Sequence, residues 1–230
     1  MTVVIGAKCS DGIVLIADRK LTGKNGEVRY CEKVVGDLAH VLIGYTGDAQ
    51  MFDIFRRYTA GDLIIERDGA KRYDLDNLLS KVSNSIRMFN KLVDCKPFKV
   101  LMVSHHEKPL ELYHIDEFGN HEKVSHGYMA IGSGTEIANM FCEGLDHANM
   151  TMSEFIKHAY LAIMCMNSYF PSFGVGVELG GVPTVVYLHY NAEWDKRPAT
   201  DSPQDIEECK KYVNQRLVRF KQVFESISKE

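Results

Sequence analysis

The chain has 230 residues, 45% of them hydrophobic and 25% charged, with a formal net charge of −4. This balance predicts a packed globular core and excludes a disordered chain. It holds no basic block for nucleic acid, which needs clustered Lys and Arg, and no run near the ~20 apolar residues of a membrane-spanning helix.

Met1 leads straight into a strand pattern over Thr2 to Lys8, with no secretory signal legible. Asp11-Gly12 is a hairpin turn signal, and Ile13 to Ala17 continues as a second strand. That second run does not alternate, so burial on both faces is expected. Gly23 to Gly26 marks a loop. Val34-Val35 and His40 to Gly44 then suggest a strand pair turning near Gly36-Asp37. Two helices follow. One is predicted from Met51, Ile54, Phe55 and Tyr58, three and four residues apart. The other carries a stripe of Leu75, Leu78, Leu79, Val82, Ile86, Phe89 and Val93, with Asp74 as N-cap and Pro97 closing the block.

A second strand set is expected at 99–104, 110–115 and 121–125, with Phe118-Gly119-Asn120 as a turn. Another helix pair begins after Gly132-Ser133-Gly134. Its second member starts at the capping box Thr151 to Glu154, with Phe155, Ile156, Ala159 and Ile163 on one face. Two strands flank Gly180-Gly181. Ser202-Pro203 opens a long amphipathic helix bearing Ile206, Cys209, Val213, Leu217, Phe220, Phe224 and Ile227. Segregated strand and helix blocks predict an α+β fold with antiparallel sheets. Two sheets face to face, each covered by a helix pair, would bury every stripe. That arrangement is a four-layer αββα sandwich over residues 1–200, with residues 201–230 a helix packed on the same domain or on a neighbouring subunit.

The six cysteines are dispersed with no C-x-x-C pair, so zinc ligation has no support, and reduced, mostly buried thiols in a cytosolic protein are expected. His105-His106 reads as a solvent-edge pair. No motif points to a metal, nucleotide or organic cofactor.

The dipeptide Met1-Thr2 carries the most chemistry. If Met1 is removed, Thr2 bears a hydroxyl and a free α-amine, a nucleophile beside its own base. Thr2 followed by Asp11-Gly12-Ile13-Val14-Leu15-Ile16-Ala17-Asp18-Arg19 resembles a proteasome β subunit, an N-terminal-nucleophile hydrolase. Lys33 in Glu32-Lys33-Val34-Val35, Gly44 in Leu42-Ile43-Gly44-Tyr45-Thr46-Gly47-Asp48-Ala49-Gln50, and Ser133 in Gly132-Ser133-Gly134 follow in the family's order, over residues 2–190.

The resemblance implies the roles. Thr2 is the nucleophile, and Lys33 a cation beside its Oγ. Asp18 orients and balances Lys33. The Gly44 N–H is an oxyanion donor, at a position where substrate backbone passes closely. Ser133 hydrogen-bonds around the Thr2 amine, and Thr22 contacts substrate backbone. The pattern departs from the family's in one stretch, where an Asp is expected and Met166-Asn167-Ser168-Tyr169-Phe170-Pro171-Ser172-Phe173-Gly174 stands. Asn167 or Ser168 is nearest to the missing Asp, Ser172 to the family's serine, and Asn supplies no negative charge. The expected function is a threonine peptidase or amidohydrolase acting on a peptide or protein, in a homo-oligomer that can be a ring. An amine resolving the acyl-enzyme, as in connectase-type relatives, would make it a ligase. A non-catalytic ring subunit is the remaining alternative.

Overall fold

A computed structural model describes residues 2–22, 25, 27–38, 41–47, 65–67, 70–72, 75–92, 98–104, 110–125, 127–169, 175–177, 183–190 and 207–218. The first hairpin is β1 (Val3–Lys8) and β2 (Gly12–Ala17), with Lys8 opposite Ile13 and Val4 opposite Ala17. β12 (Tyr128–Gly132) flanks β1 and β13 (Thr184–His189) flanks β2, completing a four-stranded sheet in the order β12-β1-β2-β13. The second sheet has five strands in the order β11-β10-β9-β6-β5. These are β5 (Val34–Leu38), β6 (Val41–Thr46), β9 (Lys99–Ser104), β10 (Glu111–Ile115) and β11 (His121–Lys123). Two short hairpins stand apart: β3 (Lys20–Thr22) with β4 (Val28–Tyr30), and β7 (Ile65–Arg67) with β8 (Ala70–Arg72). Every described pairing is antiparallel.

β2 and β6 are buried along their whole length, so their alternation is between two apolar surroundings rather than between core and water. Val4 and Leu15 from one sheet meet Leu42, Leu101, Val103 and Leu112 from the other. The neighbouring residues face the opposite way. Val3, Ile5, Val14 and Ile16 pack with α2 (Thr135–Cys142) and α3 (Met152–Tyr169). Val41, Ile43, Val100 and Met102 pack with Leu79, Val82 and Ile86 of α1 (Leu75–Leu92). The predicted helix faces therefore meet these sheets.

The capping box at the start of α3 is formed. The Thr151 N–H donates to Glu154 Oε2 at 2.8 Å and the Glu154 N–H to Thr151 Oγ1 at 3.3 Å. The β1–β2 turn adds a further cap, because Asp11 Oδ1 accepts the Met152 N–H at 2.8 Å. The helix α4, residues 207–218, lies on α3: Cys209 and Val213 join the α2–α3 core, and Tyr169 OH donates to the Leu217 carbonyl at 3.4 Å. No described helix is long and apolar enough to cross a membrane. The described cysteines are free thiols, four of them buried and Cys31 half-buried.

Some expectations need correction. β5 continues to Leu38, so the β5–β6 turn lies beyond Gly36-Asp37; strand pairing through a bulge between Val35 and Leu38 overrides the local turn signal. Residues 175–177 form no strand, although the run after Gly180-Gly181 does become β13. β12 and the β3–β4 and β7–β8 hairpins were not foreseen; each is short, and β12 reads as the approach to a loop. The first predicted helix, Asp74, His105-His106, Ser172, Ser202-Pro203 and residues 219–230 lie outside the described residues.

Candidate active site

The spacing from Thr2 to Asp18 follows from hairpin register. Val4 pairs with Ala17, so the next rung sets Val3 beside Asp18, whose N–H donates to the Val3 carbonyl at 3.2 Å. Antiparallel pairing of β1 with β12 sets Val3 opposite Gly132, which brings Ser133 to Thr2. On the other sheet Val34 pairs with Gly44, and the Tyr45 N–H donates to the Lys33 carbonyl at 3.0 Å. The start of β1 and β5 and the end of β2, β6 and β12 thus converge on one end of the two sheets.

Asp18 is fully buried and its carboxylate is saturated. Oδ1 accepts from the Thr2 hydroxyl at 3.2 Å, the Val3 N–H at 2.9 Å and Lys33 Nζ at 2.8 Å. Oδ2 accepts from Lys33 Nζ at 2.8 Å, the Lys20 N–H at 3.1 Å and the Gly176 N–H at 3.2 Å. A buried charge is tolerated only with this kind of pairing and hydrogen bonding. Lys33, 1% exposed, completes its donor set on the Lys20 carbonyl at 2.6 Å. Burial pulls its ammonium below the ordinary lysine range, and the Asp18 charge opposes that pull.

Thr2 is 5% exposed. Its nitrogen donates to Ser133 Oγ at 3.0 Å, and Ser133 Oγ donates back to the Thr2 carbonyl at 3.3 Å. Gly132 holds this turn with φ +101°, and a Cβ there would stand 2.3 Å from the Thr2 carbonyl oxygen. That position needs glycine on both counts.

The structure brings Thr2, Asp18, Lys33 and Ser133 into one hydrogen-bonded group. Gly44 joins it by packing, because a Cβ at 44 would lie 2.5 Å from Val4 Cγ1. Close approach of the two sheets is therefore a reason for glycine at this position beside the expected passage of substrate. Thr22 is outside the bonded group. It sits half-buried on β3, and its Oγ1 is buried with no hydrogen-bond partner among the described residues. Ser168 is exposed on α3. Asn167 takes the inward position: a Cβ on Gly176 would meet Asn167 Oδ1 at 2.1 Å.

Sequence reasoning missed Gly176 and the Lys20 backbone. Both act through main-chain groups, which no side-chain motif records. The only signal for Gly176 is a glycine between two valines. A cavity of about 590 Å³ opens beside Ser133, lined also by Thr46, Lys99, His114, Gly132 and Glu136.

A family model described as proteasome subunit matches residues 2–180. A proteasome subunit alpha from Thermococcus sibiricus is 30% identical over 164 residues, covering 69% of this chain and 61% of that relative. A proteasome subunit beta 2 from Nitrosopumilus maritimus is 26% identical, covering 70% and 76%, and one from Desulfurococcus amylolyticus is 26% identical, covering 78% and 88%. The chain spans about three fifths of the length of the alpha relatives, 61% and 63% for two of them. Among solved structures, Anbu from Hyphomicrobium sp. strain MC1 superposes with a TM-score of 0.72 at 14% identity over 97% of each chain, a likeness of fold. With a family model covering most of its length and relatives of both the alpha and beta kinds, the chain belongs to the proteasome subunit family, as a divergent proteasome-like member of the N-terminal-nucleophile type.

Proposed function

We propose that this protein is an N-terminal-threonine amidohydrolase acting on peptides, with Thr2 as nucleophile once the residue before it is removed. One observation carries the reading: the Thr2 hydroxyl and the Lys33 ammonium meet on the same buried Asp18 oxygen, while the Thr2 nitrogen rests on Ser133 Oγ. A freed α-amine at that nitrogen takes the Oγ proton as Oγ attacks the peptide carbonyl. The C–O bond forms, the Gly44 N–H receives the oxyanion, and the C–N bond breaks. The leaving amine departs with the proton from the α-ammonium, and water resolves the ester by the reverse proton path. Lys33 favours the anionic form of Oγ, Asp18 holds Lys33, and Thr22 contacts the substrate backbone.

The three apolar clusters, one between the sheets and one outside each, support a four-layer αββα sandwich over residues 1–200, with residues 201–230 as an appended helix. Family membership supports a cytoplasmic homo-oligomer, with a ring as its form.

Asn167 favours a second outcome at the same site. It lies beside Gly176 and brings no negative charge where the resemblance expects an Asp, so the reading keeps an amine beside water as a group that resolves the ester.

The test is an N-terminal mass measurement followed by exposure to a threonine-directed electrophile such as an epoxyketone or β-lactone. The reading expects loss of Met1 and a single adduct on Thr2, absent in Thr2→Ala. A folded protein with Thr2 N-terminal and no adduct refutes it. Retention of Met1 in the protein from its own cells marks a non-catalytic ring subunit.

A further inference from the structure

We propose that the cavity beside Ser133 binds the amine-side segment of the substrate, the part that leaves or attacks at Thr2, and selects a cationic side chain there. This deepens the nucleophile assignment above and rests on it.

The position follows from proton bookkeeping. On acylation the departing nitrogen gains one proton from the Thr2 α-ammonium; on aminolysis the incoming nitrogen forms the C–N bond, the ester C–O bond breaks, and the incoming nitrogen's surplus proton returns through the α-amine to Oγ. Both transfers need the amine within hydrogen-bond reach of the Thr2 nitrogen. That nitrogen points to Ser133, 3.0 Å away, and Ser133 and Gly132 form the cavity wall. The segment on the nitrogen's side of the scissile bond therefore enters this cavity, whereas the acyl side runs past Gly44 and Thr22.

The charge preference follows from the lining. Lys99 is already paired with Glu117 at 2.8 Å. His114 Nδ1 lies 3.0 Å from Glu122, and its Nε2 is buried without a partner among the described residues. Glu136, in the first turn of α2, has no ion-pair partner among the described residues. Among the described residues the cavity thus presents one carboxylate without a counter-ion, and the acids Glu117 and Glu122 that pair with its lining outnumber Lys99. A cavity of about 590 Å³ with convergent polar groups is of a size for a long side chain. A lysyl or arginyl residue would place its cation on Glu136 and stack its stem along Ile131 and Thr135, which also line the wall.

The experiment uses Thr2→Ala protein, in which binding is read without turnover, and titrates lysyl-alanine amide against glutamyl-alanine amide by NMR. The lysyl probe should bind about fivefold more tightly, Glu136→Gln should bring the two within about twofold, and Glu136→Lys should reverse the order. Equal binding of both probes, or a preference unmoved by Glu136→Lys, overturns the cavity assignment. Electrophile capture at Thr2 is measured in parallel on the protein with Thr2 and Glu136 both intact. A normal adduct with no probe selectivity rejects the cavity alone, and probe selectivity with no adduct rejects the nucleophile alone.

Discussion

Replacing Lys33 by methionine tests the site at its most constrained point. The substitution keeps the length of the stem and removes the charge that faces Asp18 at 2.8 Å on both oxygens. Removing one partner of a buried ion pair costs about 3–5 kcal/mol, because the other charge stays buried. Here Asp18 keeps the Thr2 hydroxyl and the N–H groups of Val3, Lys20 and Gly176. The expected loss therefore sits at the low end, about 3 kcal/mol. Asp18→Asn should cost more, about 5 kcal/mol, since its amide would turn a donor toward the donors that surround Asp18 and leave the buried Lys33 without a counter-charge. The double variant should lose about 1–3 kcal/mol less than the sum of the singles. Urea unfolding followed by far-UV circular dichroism measures this; at a slope of ~3 kcal/mol/M, the first variant shifts the midpoint by about 1 M. Single-variant losses under about 1 kcal/mol, or strict additivity in the double, would refute the idea that the pair is buried and mutually dependent.

Two further outcomes can be measured. Gly44→Ala places a Cβ 2.5 Å from Val4 Cγ1 and should destabilise by about 1–3 kcal/mol, with partial rescue by Val4→Ala, which removes the clashing methyl; no rescue in a thermal melt would assign the loss elsewhere. Burial pushes Cys9, Cys142 and Cys165 up to about 12 from the ordinary 9.0. The unfolded thiols release protons through pH 9 while the folded ones hold them, so stability falls as pH rises, by about 1.4 kcal/mol per thiol at pH 10. Lys33 acts in the opposite sense, since its lowered value returns stability as pH rises toward 10.5. Cys142→Ala should flatten the fall in unfolding free energy between pH 8 and 10 by one thiol's share, and an unchanged slope would show that this thiol ionises equally in both states.

Legibility varied with the range of the interaction. The apolar run of β2 announced burial on both sides because each of its faces meets a core. The capping box of α3 was legible because all its atoms lie within four residues. β12 was not, although it seats Ser133: five residues ending at a glycine carry too little periodicity to separate a strand from a turn. The β5–β6 turn was misplaced for a related reason, since Gly36-Asp37 is a sound local signal that cross-strand pairing overrode.

The sequence by itself determined the burial of β2 on both faces and the inward stripes of α1 and α3, and, through the register of one hairpin, that Asp18 returns to Thr2. It also carried the ordered residues by which the family is recognised. Tertiary structure decided what surrounds them. Ser133 reaches Thr2 across 131 positions and Gly176 reaches Asp18 across 158. Those contacts depend on which strands pair and on how closely β1 packs on β6. Periodicity records that a side chain is buried, but not which distant backbone it is buried against.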